Sequence, residues 1–176
     1  MPMTTLLIAS LILLTVGSTP LPTQAASTYH ACSLLTSAEL EGLLRQKVTK
    51  SGDSDVTVSD GPYKGETVSS CNWTLGPASV ALSVMRGPRT PEQRAAGLAA
   101  FRRIEEILKK QGWTIDQVNV GGMSCSTYNP PTGAQGLPRG AACVTEAKGF
   151  ALMVSVSGGT PQLVKGLVDK AAGRLP

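Results

Sequence analysis

The residues best suited to chemistry in this chain are its four cysteines, Cys32, Cys71, Cys125 and Cys143. A thiol nucleophile needs a base within reach, and the single histidine, His30, sits beside the N-terminal leader, two residues before Cys32. No Cys-x-x-Cys spacing occurs, so the usual ligand pair of a structural zinc site is missing, and neither a metal nor a cofactor is expected. An even number of cysteines in an exported chain reads as a disulfide framework. Four cysteines allow three connectivities. Cys32–Cys71 and Cys125–Cys143 are expected, because each joins neighbours along the chain and stays within one half.

The carboxylates point to no reaction. Asp53, Asp55, Asp60, Asp116 and Asp169 fall mostly in expected turns or on surface faces. Glu39 and Glu92 stand at helix starts, where the helix dipole favours them. Glu105 and Glu106 precede Lys109 and Lys110 by four residues, the favourable orientation for pairs on a solvated helix face. No G-x-S-x-G, H-E-x-x-H, S-x-x-K or Gly-rich phosphate loop is present. An enzyme is therefore not expected, and a carboxylate-dependent hydrolase stands only as an alternative. Arg86, Arg89, Arg94, Arg102, Arg103, Lys109 and Lys110 concentrate positive charge over 86–110. Such a stripe could meet anionic lipid, polysaccharide or wall polymer. Glu92, Glu105 and Glu106 interleave with it, so a solvated face is the expected reading. Aromatics are only 4% of the chain, which argues against a stacking platform for nucleic acid.

The elements that must position these residues follow from pattern. The chain has 176 residues, 41% hydrophobic, with 19 Gly, 12 Pro and a net charge of +4. That is enough apolar material for one packed core. Residues 1–25 carry no charge, and Leu6 to Val16 is apolar; a short apolar run followed by small residues is the layout of a cleaved secretory signal peptide. The mature domain is expected over 26–176, periplasmic or extracellular, with no transmembrane span. Tyr29 and His30 do not fit a lipidation box, so a lipid anchor is not expected.

Thr36 to Glu39 reads as a capping box opening a helix over 37–48, with Leu40, Leu43, Leu44 and Val48 on one face. Strands are expected over 55–59, 66–75 and 79–85. Thr90-Pro91 opens a helix running to about Gln111, on which Leu98, Phe101, Ile104, Glu105 and Leu108 recur at helical spacing. Strands follow over 113–120 and 123–128. A hairpin spans 141–147 and 150–157 across Lys148-Gly149, and Thr160-Pro161 opens a last helix ending near Ala172. The two halves match. Cys71, Val80, Leu82, Val84 and Gly87 correspond at one offset to Cys143, Leu152, Val154, Val156 and Gly159. The Thr-Pro caps follow with a shift of two. The expected fold is α+β: an antiparallel sheet with helices packed on one face, carrying an internal duplication of a strand-hairpin-helix unit.

The most distinctive exposed feature is the segment 129–140, NPPTGAQGLPRG, stiffened by Pro130, Pro131 and Pro138 and tied at its base if Cys125 and Cys143 pair. Surface loops often carry binding function. Pro130, Pro131, Leu137 and Arg139 are the candidate ligand- or partner-binding residues. A protease inhibitor presenting this loop with Arg139 as anchor is the alternative.

Cys32-Ser33-Leu34-Leu35-Thr36-Ser37-Ala38-Glu39-Leu40, followed by Cys71-Asn72-Trp73, resembles small secreted or lipid-anchored bacterial envelope domains of unknown function with the pattern C-S-L-L-T-x-x-E, a helix, then C-x-W. The resemblance covers the first third of the chain. It implies bacterial export and the Cys32–Cys71 bridge, and it brings no catalytic residues. The combined expectation is an exported, monomeric, non-enzymatic module whose partner is an envelope protein or a small ligand.

Overall fold

A computed structural model describes residues 29–134, 136 and 138–176. The expected signal peptide and its cleavage site lie outside the described residues. The elements in chain order are α1 (Ala31–Leu34), α2 (Ser37–Leu44), β1 (Lys50–Thr57), β2 (Thr67–Leu75), β3 (Ala78–Arg86), α3 (Pro91–Lys110), β4 (Thr114–Val120), β5 (Met123–Asn129), β6 (Gly140–Ala147), β7 (Phe150–Ser157) and α4 (Pro161–Gly173). The seven strands form one antiparallel sheet in the order β1-β2-β3-β7-β6-β5-β4. The α+β class and the antiparallel sheet are as the sequence pattern requires.

The duplication is visible in the hydrogen-bond register. Cys71 stands opposite Leu82 in one hairpin, and Cys143 opposite Val154 in the other. Asp53 stands opposite Cys71, as Cys125 stands opposite Cys143. An offset of 72 residues therefore carries β1-β2-β3 onto β5-β6-β7. The halves meet where β3 pairs with β7: Val80 faces Val156, Leu82 faces Val154 and Val84 faces Leu152. Leu82 and Val154 map onto one another, so a pseudo-twofold passes between them.

Alternation in these strands sends one set of side chains to a sealed face. Cys71, Trp73, Leu75, Val80, Leu82, Val84, Cys143, Leu152, Val154 and Val156 are all buried. Val164, Leu167, Val168 and Ala171 of α4 cover them, and Ala31 and Leu34 of α1 cover the β2–β3 side. Each large aliphatic side chain buried this way contributes about 1.5–3 kcal/mol. Both expected disulfides are present. Cys32–Cys71 ties α1 to β2, and Cys125–Cys143 joins directly opposed residues of β5 and β6.

The three expected caps are formed. The Thr36 side chain accepts from the Glu39 amide while Glu39 reaches back to the Thr36 amide. Thr90 and Thr160 accept from the amides of Gln93 and Leu163, each with proline in the first turn. Lys148, left-handed in its hairpin at φ 49°, directs its Nζ to the Leu175 carbonyl at 2.7 Å and so closes the end of α4. Gly159 is fixed sterically: a Cβ there would lie 2.7 Å from Val156.

Two segments differ from the sequence-based expectation. The first capped helix ends at Leu44 rather than 48, because Arg45 turns left-handed and Glu41 takes the Val48 amide; Leu43 is consequently exposed. β1 occupies 50–57 rather than 55–59. Its Lys50-Ser51-Gly52-Asp53 start has turn composition, yet pairing with β2 holds it extended.

α2 is clipped to α4 electrostatically. Arg174, at the α4 C-cap, donates through Nη1 and Nη2 to the two Glu39 carboxylate oxygens, each at 2.7 Å, and also to the Leu34 carbonyl. Those Arg174 bonds, with the Thr36 backbone amide and hydroxyl, hold the Glu39 carboxyl down to about 2. The unfolded value is about 4.3. A depressed carboxylate pKa contributes stability that is complete above the unfolded value and is lost as pH falls through the folded one. Thermal melts are therefore expected to show Tm dropping between pH 4.5 and 2, and Arg174→Met should flatten that part of the profile and lower Tm at neutral pH. The disulfides give a second expectation. By loop closure, Cys32→Ser with Cys71→Ser should cost about 4 kcal/mol, and Cys125→Ser with Cys143→Ser about 3 kcal/mol, read from urea unfolding; equal, negligible losses would contradict it.

Candidate functional site

The second face of the sheet has a different character. One row of directly paired residues across it reads Gly52, Asn72, Ala81, Ser155, Ala142, Ser126 and Gln117. The next reads Ser54, Ser70, Ser83, Met153, Val144, Ser124 and Asn119. Neither row carries a charge, and most of the side chains are small. Ser70 and Ser83 share a hydrogen bond at 3.0 Å. Gly52, Ser54 and Asn72 are exposed, and a Cβ built on Gly52 would meet nothing within 4 Å. Over β1, β2, β3 and β7 this face is open.

α3 lies on this same face, opposite α1 and α4. Glu105, only 8% exposed, accepts from the Ser126 hydroxyl and from the Gln117 side-chain amide. Arg94 pairs with Glu146 of β6 at 3.1 Å. The N-terminal end of α3 is held from the β1–β2 connection, where the Tyr63 hydroxyl donates to the Gln93 carbonyl at 2.7 Å and Gln93 donates to the Pro62 carbonyl. The helix thus crosses the β6-β5-β4 half and leaves the other half uncovered. Burial pushes the phenol of Tyr63 up. Burial also raises that of Tyr128, with Ser126 lowering it and Glu105 raising it.

The apolar pattern of α3 is not what seats it. Periodicity places Leu98 and Ile104 with Phe101 and Leu108, and the pairing rule places Glu105 on the surface with Lys109. The structure reverses both. Glu105 is the one buried residue of the helix, while Leu98, Ile104 and Ile107 are 56%, 57% and 49% exposed. The cause lies beneath the helix. It sits over Ser126 and Gln117, polar groups that a carboxylate satisfies and an isoleucine would not. Gln93, Gly97, Ala100, Ile104 and Ile107 follow one another at spacings of three and four, so they share a flank. Tyr63 packs on Gln93 and Gly97 at the start of that flank, which turns it toward the side from which Tyr63 comes, the open half of the sheet. Small, uncharged side chains therefore form a floor and a partly apolar helix flank forms a wall.

The loop residues lie at the end of this face. Pro130 and Pro131 are half-buried, and Pro131 packs against Gly112 at the α3–β4 corner, where a glycine Cβ would come to 3.0 Å of the Pro131 Cβ. Arg139 is exposed, and its carbonyl accepts from the Gly158 amide. Leu137 lies outside the described residues. The two arms are thus anchored separately, Pro131 to the helix corner and Arg139 to the chain after β7. Of the carboxylates, Glu39 faces Arg174, Glu66 faces Arg89, Glu146 faces Arg94 and Asp169 faces Lys165. Among the described residues no three His, Cys, Asp or Glu side chains gather as a metal site would require.

The latch under α3 is testable. Glu105→Ala strands the buried Ser126 hydroxyl, at a cost of about 1–3 kcal/mol. It should also speed limited proteolysis within 91–110. Glu105→Gln, which keeps an acceptor, should do less of both. Proteolysis unchanged in Glu105→Ala would show that α3 is held by something else.

Comparison with known proteins yields fold and no family. No protein-family model matches the chain, and no curated protein sequence matches it. Among solved structures, the crystal structure of the extracellular domain of PknH from Mycobacterium tuberculosis is similar, with a TM-score of 0.54, 12% sequence identity, and coverage of 82% of this chain and 93% of that one. At that identity the shared property is the fold: this chain is similar in architecture to a bacterial extracellular domain.

Proposed function

We propose that this chain is an exported, non-enzymatic binding module of the bacterial envelope, periplasmic or extracellular. A partner protein or small ligand is held on the open sheet face beside α3, next to the 129–140 loop. The observation that carries this reading is the exposure of Ile104 and its neighbour Ile107 on α3, with Ile104 on the flank turned to the open half of the sheet that holds Ala81, Ser83 and Ser155. Large apolar side chains grouped on an exposed face mark interaction sites more often than lone ones do. The floor is uncharged, so the part of the ligand that reaches it is neutral. Two disulfides fit an oxidising compartment. The similarity to an extracellular domain fits the same location.

Native mass spectrometry of the protein taken from its own envelope tests the reading. The wild-type chain is expected to carry a bound species. Ala81→Trp, which fills the floor, should lose it while circular dichroism stays unchanged, and deletion of 131–138 should weaken it. A bound species retained in full by both variants would place the site elsewhere.

A further inference from the structure

The sheet ends differently at its two sides. The 72-residue offset that carries β5 back onto β1 leaves β4 with no counterpart. In the second half, β4 takes the outer edge of β5, with Val118 opposite Cys125 and Asp116 opposite Thr127. The equivalent edge positions of β1 hold Asp53 and Asp55, and among the described residues no strand lies against them. All eight residues of β1 are exposed, and none is proline. The direction of its backbone follows from Val58, which donates to the Glu66 carbonyl and accepts from the Gly65 amide. Bonding direction alternates along an antiparallel strand, so Val56, Ser54 and Gly52 also turn their polar groups toward β2. Ser51, Asp53, Asp55 and Thr57 turn their N–H and C=O groups outward. Cys125 agrees with this. Its Cα lies 4.0 Å from that of Cys143, the closer spacing of a pair that exchanges no backbone bonds, so its backbone groups serve β4. The Asp53 and Asp55 side chains stand beside the free edge on the α1 side of the sheet, where Asp55 faces the exposed His30 at 3.8 Å. Asp53 enters no ion pair among the described residues.

We propose that the outer edge of β1 accepts an extended segment of a different protein as an added strand, and that this segment carries lysine or arginine at two alternate positions. An unpaired edge gives a peptide main-chain hydrogen bonds, and its side chains at alternate positions give specificity. Opposite charges directly across a strand pair stabilise it, and like charges destabilise it. Cations set against Asp53 and Asp55 therefore complete the edge as Val118 and Asp116 complete that of β5. A second copy of this chain does not fit. β1 laid antiparallel on its own copy, with the outward groups meeting, sets Asp53 on Asp53, Asp53 on Asp55 or Asp55 on Asp55 in the longest overlaps. Carboxylates on an edge are a known guard against such self-pairing. The other free edge, β4, has Asp116 as its one charge, and residues 1–28 contain no lysine or arginine. The cations must then come from another protein. This edge lies outside the ligand face described above, so the two can fail separately.

Amide hydrogen exchange followed by NMR decides it, with an acetyl-capped eight-residue peptide of alternating threonine and lysine as the probe. The peptide should slow exchange at the Asp53 and Asp55 amides and leave the β4 amides unchanged. The same peptide with glutamate for lysine should not bind. Nor should the lysine peptide N-methylated at its lysine amides, which keeps the charge and removes the strand bonds. One opposite-charge cross-strand pair is worth about 1.4- to fivefold, so Asp53→Asn with Asp55→Asn should weaken peptide binding by about two- to thirtyfold. Both side chains are exposed, and a thermal melt confirms that the variant folds. Equal binding of the N-methylated peptide would reduce the edge to a charged surface and overturn the proposal. Equal binding of the glutamate peptide, no change in exchange with the lysine peptide, or an unaffected double variant would also overturn it. So would a dimer in sedimentation whose Asp53 and Asp55 amides are already protected without peptide, since a second copy would then fill the edge.

Discussion

Everything in this molecule depends on the pairing of β3 with β7. It joins two three-stranded units into one sheet and places Leu82 against Val154 on the pseudo-twofold. Neither unit has a covered face by itself. Joined, they present one continuous apolar surface that α1 and α4 seal. Because side chains alternate, a slip of one residue in this register would turn Val80, Leu82, Val84, Leu152, Val154 and Val156 to the other side. The core itself therefore enforces the register.

The duplicated units have diverged at their helices, and the open face results from that divergence. α4 carries Val164, Leu167, Val168 and Ala171 at core spacing and is drawn onto the apolar face. α3 follows β3 as α4 follows β7, behind the same Thr-Pro cap, yet its sequence is rich in alanine, arginine and glutamate. It takes the opposite face, where Glu105 rather than an aliphatic residue is buried. The disulfides diverge in parallel. Cys71 and Cys143 are equivalent, but Asp53 stands where Cys125 stands in the second half, so Cys71 bonds instead to Cys32 of α1. One unit is stapled within its sheet, the other to a helix. A sheet with one sealed face and one half-covered face has a core for stability and a surface for contacts.

Much of this was legible in the sequence. The Thr36, Thr90 and Thr160 caps, the strand alternations, the cysteine pairs and the offset between halves are local or nearly local signals, and each is realised. What the sequence concealed depended on a distant partner. Lys50 to Asp53 reads as a turn until β2 lies beside it. Glu105 reads as a surface charge until Ser126 and Gln117 lie beneath it, and Ile104 reads as core until the helix is seated by Glu105. The loop of Pro130, Pro131 and Arg139 was visible as a distinct object, but its composition could not show that Pro131 rests on Gly112. The open face had a faint trace in the strands, where Ser70, Asn72 and Ala81, Ser83 alternate with apolar residues. Alternation of that kind announces an uncovered face without naming what covers it.

The central physical claim is that two helices of equivalent origin are held differently, α4 by an apolar core and α3 by a polar latch over an open face. Native-state hydrogen exchange tests this directly, since protection reports the free energy of local opening. Amides of β3, β7 and α4 should exchange only through global unfolding, while those of α3 exchange through a separate and lower-energy opening. Protection in α3 equal to that in β3 and β7 would contradict the claim and would mean that the face is as firmly covered as the core.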